Sequence, residues 1–265
     1  MKNIFLILFL FLTACAPEDK KTYSYAGLEI SGSEFKITQA PIYENVVETS
    51  IVDNIYLPSI DMLSGNVSID NKDGTFKTID TKTYFAYVMK QDNIYYNFYK
   101  DSGGIFVKSS PDLINWSSPE MYFAEFNDYH FWNPAVVVDD SGVWHILVEC
   151  AKNADQSDVG LCDRTGQVIP GAGNPWMGYV SGKGLMVIYG KLGKVWSIGA
   201  AIIKNGAWVE SNSFKIAAPG VHICDPHLAE INGGTVMLLS YDQHSVYELK
   251  TSETLSQIYE RVKND

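Results

Sequence analysis

Short apolar runs separated by turn residues fill the chain from about residue 25 onward. Val136 to Val138, the turn Asp139-Asp140-Ser141-Gly142 and Val143 to Glu149 read as an antiparallel hairpin, two strand-length runs around a polar turn. The pattern returns at His227 to Ile231, Asn232-Gly233-Gly234 and Thr235 to Tyr241, and again at Tyr84 to Met89, Gln91-Asp92-Asn93 and Ile94 to Tyr99. Gly182-Lys183-Gly184 makes the turn of a fourth copy. Three of the runs open alike, at Trp132-Asn133-Pro134, Gly173-Asn174-Pro175 and Cys224-Asp225-Pro226, and Tyr56-Leu57-Pro58 is a weaker copy. Each places a proline near the start of an apolar strand, where its missing N–H costs least.

Prolines 134, 175 and 226 lie 41 and 51 residues apart, the length of a four-stranded propeller blade. Ser118 to Phe123, Ser213 to Ala217 and Glu34 to Ile42 read as outer strands. Because the last of these stands at the N-terminus, it is expected to pair with the C-terminal strand around Val246 to Leu249 and close the ring, removing exposed sheet edges. From Pro58 to Pro134 is 76 residues, which fits five blades if the hairpin from Tyr84 counts separately and Pro58 to Lys82 forms a reduced blade. Four blades with an insertion around Asn71-Lys72-Asp73-Gly74 is the alternative. A β-sandwich would share the local hairpins but does not call for proline-led strands at blade spacing. The expected fold is therefore all-β, a five-bladed propeller forming one domain over residues 24–265, with one amphipathic helix at Glu253 to Lys263.

At the N-terminus, Lys2 precedes an apolar run from Ile4 to Leu12, too short to span a bilayer as a helix. Its ending, Leu12-Thr13-Ala14-Cys15, resembles a bacterial lipoprotein signal. The resemblance implies removal of residues 1–14, lipidation of Cys15, a tether over 15–23, and attachment in the cell envelope, with the outer membrane expected because Ala16 rather than aspartate follows the cysteine. Twenty basic against 31 acidic residues give a net charge of -11 and no basic run, which argues against nucleic acid as a partner. The membrane is expected to be met through the lipid alone, by a monomer. In an oxidising compartment, Cys150 and Cys162 flank a polar loop and can pair as a disulfide, leaving Cys224 free.

The string Ser110-Pro111-Asp112-Leu113-Ile114-Asn115-Trp116, preceded by the aromatic-rich runs Asn93 to Tyr99 and Gly104 to Lys108, resembles the strand ends of five-bladed propeller glycoside hydrolases of the family 43 and family 32 type. That resemblance implies a carbohydrate ligand and paired carboxyl groups at the central mouth, whose spacing would decide between retention and inversion. The expected catalytic residues are Asp225, which alone puts an acid before an opening proline, Glu149 at the end of a second strand, and Asp61 after Pro58. Trp132 and Trp176 are expected to stack on sugar faces, while Asn133, Asn174, His227 and Asp242 hydrogen-bond hydroxyls. Asn133 and Asn174 stand where an enzyme would use aspartates, and an amide cannot ionise as a base or nucleophile. A non-catalytic carbohydrate-binding propeller is accordingly the second reading. No cofactor or metal is assigned; some relatives carry an axial calcium, but calcium prefers oxygen ligands to the histidines gathered here.

Overall fold

The computed structural model describes residues 28–265 except 39–40, 45, 61–64, 73–74, 154 and 243. The expected signal segment, Cys15, the tether, the tip of the Asn71 to Gly74 turn and Asp61 lie outside the described residues.

The described strands form five antiparallel sheets. β1 (Glu29–Ser31), β2 (Lys36–Ile37) and β3 (Tyr43–Glu44) serve as edges for sheets made from later residues. Blade one consists of β4 (Val46–Val52), β5 (Ile55–Ile60), β6 (Asn66–Asp70) and β7 (Phe76–Asp80). Blade two consists of β8 (Tyr84–Gln91), β9 (Ile94–Asp101), β10 (Gly104–Ser110) and β11 (Glu120–Ala124). Blade three runs β12 (His130–Val138), β13 (Trp144–Ala151), β14 (Gly160–Asp163) and β15 (Gly166–Pro170). Blade four comprises β16 (Ala172–Val180), β17 (Gly184–Lys191) and β18 (Ser197–Lys204), with β19 (Ala207–Glu210) and β20 (Lys215–Ala217) beside β18 and β1 outside β20. Blade five comprises β21 (Ile223–Ile231), β22 (Gly234–Tyr241) and β23 (Ser245–Thr251), edged by β2 and β3.

The first strands β4, β8, β12, β16 and β21 touch one another in a closed cycle, so the sheets radiate from a common axis. A sandwich is excluded by that cycle. Blades packed on both faces explain why strands such as β17 read as continuous apolar runs, with Leu185 to Gly190 all buried. The ring closes through the N-terminus as expected: Ile37 pairs with Leu249 and Tyr43 with Val246. Tyr56 Oη, from blade one, donates to Glu248 Oε2 at 2.5 Å and ties the first blade to the last.

One expectation fails. Pro58 lies on β5, opposite Thr49, and is in the second strand of its blade rather than at an opening. β5 meets β6 only at Ser59↔Val67 and Ile60↔Asn66, so Pro58 falls where the outer ladder has not begun and its lacking N–H is harmless. Blade one is therefore a full blade that starts at Val46, without a proline to mark it.

The Ser110 to Trp116 string turns out to be a fastening between blades. Asp112 Oδ1 accepts the N–H groups of Ile114 and Asn115 at 2.9 and 2.8 Å, closing the turn. Leu113, 2% exposed, then packs with Val52, Leu57 and Ile79 of blade one. Trp116 Nε1 donates to the Ile79 carbonyl at 2.9 Å. The motif thus reports the fold rather than an activity. Cys150 and Cys162, both fully buried, are disulfide-bonded between β13 and β14, and Cys224 is a buried free thiol. The helix α1 (Leu255–Lys263) is capped by the reciprocal Thr254–Gln257 pair and buries Ile258, Tyr259 and Val262 against β16 and β18.

Candidate active site at the propeller mouth

Each first strand breaks its pairing once near its start: after Val46, Tyr84, Trp132, Gly173 and Cys224. These are β-bulges, one per blade, and a bulge re-aims the side chain it carries. Four of them hold a residue in the left-handed region: Phe85 at φ 55°, Asn133 at 38°, Asn174 at 48° and Asp225 at 50°. Asn and Asp tolerate that conformation, whereas a phenylalanine there is strained. Pro175 and Pro226 fall in the unpaired stretch, where no N–H is needed.

The bulges bring Glu48, Tyr87, Asn133, Asn174, Asp225 and His227 around one small hollow that opens to solvent, and no lysine or arginine is among the described residues that line it. Glu149, 5% exposed, stands behind this lining. Its Oε2 accepts Asn133 Nδ2 and the backbone N–H of Asn174, each at 2.9 Å. The Asn174 side-chain amide donates in turn to Asp225 Oδ1, and the Cys224 thiol donates to Asp225 Oδ2 at 3.1 Å. Strand periodicity would point Cys224 and Asp225 to opposite faces, and the bulge is what lets these neighbours meet.

Burial pushes all three carboxyl groups up. Glu48 lies well above the carboxylate range, through crowding by protein around its carboxyl and then through the charges of Asp225 and Glu149. Glu149 is raised by burial, against which the bonds from Asn133 and Asn174 pull down, while the Asp225 charge adds to the rise. Asp225 is raised by burial and held back by Cys224, Ser240 and Asn174. The Cys224 thiol, pushed well up by burial and by Asp225, stays protonated and serves as a donor.

Burial depresses His227 to about 3, so it is neutral. Its Nδ1 accepts the Ile51 N–H at 3.2 Å, which leaves the proton on Nε2. Nε2 and the hydroxyl of Thr49, both on residues of the hollow, are buried without a protein partner. A protonated Nε2 cannot ligate an axial cation, so His227 does not fit that role. No group of three or more metal-ligating side chains occurs among the described residues.

Of the expected site residues, Asp225, Asn133, Asn174 and His227 thus converge on the hollow, and Glu149 supports two of them from behind. Trp132 is partly exposed and pairs with Glu149 across the β12–β13 ladder. Trp176, in contrast, is 5% exposed and folded against Gly178 in the core, so it has no face to offer a sugar. Asp242 sits in the turn after β22, its N–H bonded to the His222 carbonyl at 2.8 Å. Glu48 escapes the sequence reading because blade one was entered one strand late, at Pro58.

A five-bladed propeller with an acidic mouth is the class that fold and site define. No family model and no curated protein matches the sequence. Solved structures do match. An endo-1,4-beta-xylanase from Bacteroides thetaiotaomicron is 12% identical, with a TM-score of 0.56, over 80% of this chain and 92% of that one. An endo-arabinase from the same organism is 12% identical, with a TM-score of 0.55, over 84% and 98%. A GH43_1 enzyme from Xanthomonas citri is 11% identical, with a TM-score of 0.53, over 83% and 93%. At such identities the likeness establishes the fold, and function has to be argued from the site.

Proposed function

We propose that the protein is a glycoside hydrolase that cleaves an oligo- or polysaccharide at the propeller mouth. The observation that carries this reading is the convergence of Glu48, Glu149 and Asp225 with the neutral donors Asn133 and Asn174. A carboxyl held in its acid form beside a carboxylate fixed by hydrogen bonds is the pairing glycosidic cleavage needs. Glu48 is the proton donor in this reading, giving its proton to the departing oxygen as the C–O bond breaks. Asp225 acts at the anomeric side, where the oxygen of a water molecule replaces the departing one on the anomeric carbon and the Asp225 carboxylate takes up the proton that water gives. Glu149 keeps Asn133 and Asn174 in place and, through its charge, helps hold the proton on Glu48. The xylanase and arabinase of like fold suggest pentose polymers as the first substrates to try.

Asn133 and Asn174 occupy bulges equivalent to that of Asp225, which favours a second reading, a propeller that binds glycans without cleaving them. Hydrolysis of aryl xylosides, arabinosides and fructosides by wild type, Asp225→Asn, Glu149→Gln and Glu48→Gln separates the two. The hydrolase reading expects wild-type turnover and a loss of about 100-fold or more in Asp225→Asn and Glu48→Gln. Measurable glycan binding without any turnover on that panel would select the second reading.

Export and anchoring through a lipid on Cys15, in the outer membrane, complete the proposal and are supported by the Leu12-Thr13-Ala14-Cys15 pattern. Labelled palmitate should enter the wild-type protein and not a Cys15→Ala variant.

A further inference from the structure

Trp196 lies in the short segment between β17 and β18, at the same rim as Glu149. Two glycines that pair across the β16–β17 ladder, Gly173 and Gly190, form its floor. A methyl group on Gly173 would come 3.0 Å from Trp196 Cη2 and 2.6 Å from Glu149 Oε2, and one on Gly190 would come 3.0 Å from Trp196 Cε3. Neither glycine has a left-handed φ, so these positions need space for the indole rather than backbone freedom.

The backbone that carries the ring is held from the next blade. The Trp196 backbone amide donates to His222 Nδ1 at 3.3 Å, and the Trp196 carbonyl accepts the Ile223 N–H at 3.0 Å. With Nδ1 engaged as an acceptor, the ring N–H of His222 is at Nε2, which has a donor to offer. Both side chains are partly exposed. A partly exposed indole resting on a glycine floor, next to a fixed donor and a buried carboxyl group, has the chemistry a sugar ring requires: C–H groups on one face, hydroxyls at the edge.

We infer that Trp196 and His222 form a sugar subsite between blades four and five, beside Glu149, in which the indole stacks on the apolar face of a pyranose and His222 Nε2 donates to a hydroxyl oxygen. The inference rests on the reading of the mouth as a carbohydrate site and adds where the next sugar unit lies and which ring form it takes. A six-membered ring lays several C–H groups flat on an indole, whereas a puckered five-membered ring covers less of it.

Calorimetric titration of the full chain with xylohexaose and with arabinohexaose tests this, alongside aryl xyloside hydrolysis. Xylohexaose should bind more tightly than arabinohexaose. Its affinity should fall about tenfold or more in Trp196→Ala, stay within about threefold in Trp196→Phe, and fall severalfold in His222→Asn, which keeps an acceptor for the Trp196 N–H but lacks the Nε2 donor. Because Trp196→Ala can perturb the rim, tryptophan fluorescence gives a second reading: the change on adding xylohexaose should be present in wild type and largely lost in Trp196→Phe. Equal affinity in wild type and Trp196→Ala, a fluorescence change that survives in Trp196→Phe, or no wild-type binding at all would each overturn the subsite. Binding that depends on Trp196 in a protein without turnover supports the subsite and removes the hydrolase reading instead.

Discussion

Asn174 gives its backbone N–H to Glu149 Oε2 at 2.9 Å while its side-chain amide serves Asp225 Oδ1. One residue therefore bridges two carboxyl groups from blades three and five, and the two bonds can be cut separately. Glycine adopts the φ of 48° found at Asn174 without strain. Asn174→Gly should keep the bond to Glu149 and remove the one to Asp225. Losing one of the donors that favour the ionised form of Asp225 should raise its pKa further. The acidic limb of the pH–kcat/KM profile should move upward, or the Asp225 carboxyl carbon should titrate higher by NMR. An unmoved limb and an unmoved resonance would show that Asn174 does not tune Asp225.

Gly173→Ala is expected to be the most damaging single methyl at the mouth. The new Cβ would sit 2.6 Å from Glu149 Oε2 and 3.0 Å from the Trp196 indole, and Glu149 is tied by two hydrogen bonds that resist its retreat. Overpacking of this kind costs about 1–3 kcal/mol. Chemical denaturation should register that loss, and turnover or glycan binding should fall with it. Gly206→Ala is the control for adding a methyl to an open turn glycine: its Cβ would meet nothing, although its φ of 80° makes a smaller cost there a backbone effect.

Glu48 makes stability depend on pH with an unusual sign. Its folded pKa is raised, so the folded state binds the proton more tightly than the unfolded chain. Stability is then fullest below the ordinary glutamate pKa and declines as pH rises from there toward the raised folded value, by about 1.4 kcal/mol for each unit of elevation. Glu48→Gln removes that penalty. The variant should melt at a higher temperature than wild type near pH 8 and at nearly the same temperature near pH 4. An equal effect at both pH values would mean that burial of the charge is not what Glu48 costs.

Most of the fold is written in local pattern, and the site only in part. The hairpins, the ring closure at Ile37 and Val246, and the strand openings at Asn133, Asn174 and Asp225 were legible because turn residues and Asn-Pro or Asp-Pro pairs mark them, while the bulges at those openings emerge only in the structure. Blade one carries no such mark: the bulge after Val46 is made without proline, and Pro58 on the neighbouring strand imitates the missing signal. Glu48 was lost with it. Trp176 misled for another reason, since proximity to an opening does not say which way a ring turns, and beyond the bulge this one turns toward Gly178. Trp196 has no local signature at all, because what defines it is a glycine pair, Gly173 and Gly190, brought beneath it by the ladder.

The Cys150–Cys162 disulfide closes a loop of 12 residues in sequence and joins adjacent strands of blade three. Both cysteines are fully buried, so a reductant reaches the bond only when the blade opens. Glu149 precedes Cys150 directly, which couples the bond to the mouth: loosening β13 against β14 would release the strand end that carries the carboxylate. A native disulfide around a loop of this size contributes about 3 kcal/mol. For a domain of this length that corresponds to a fall of roughly 6–12 °C in Tm for the Cys150→Ser, Cys162→Ser double variant. Thermal melts with and without dithiothreitol check both halves of the argument. Wild type should lose stability to the reductant only after heating has opened the structure, and the double variant should melt at one temperature in either buffer. Rapid loss of the bond in the cold, native protein would show that blade three opens far more readily than its buried cysteines imply.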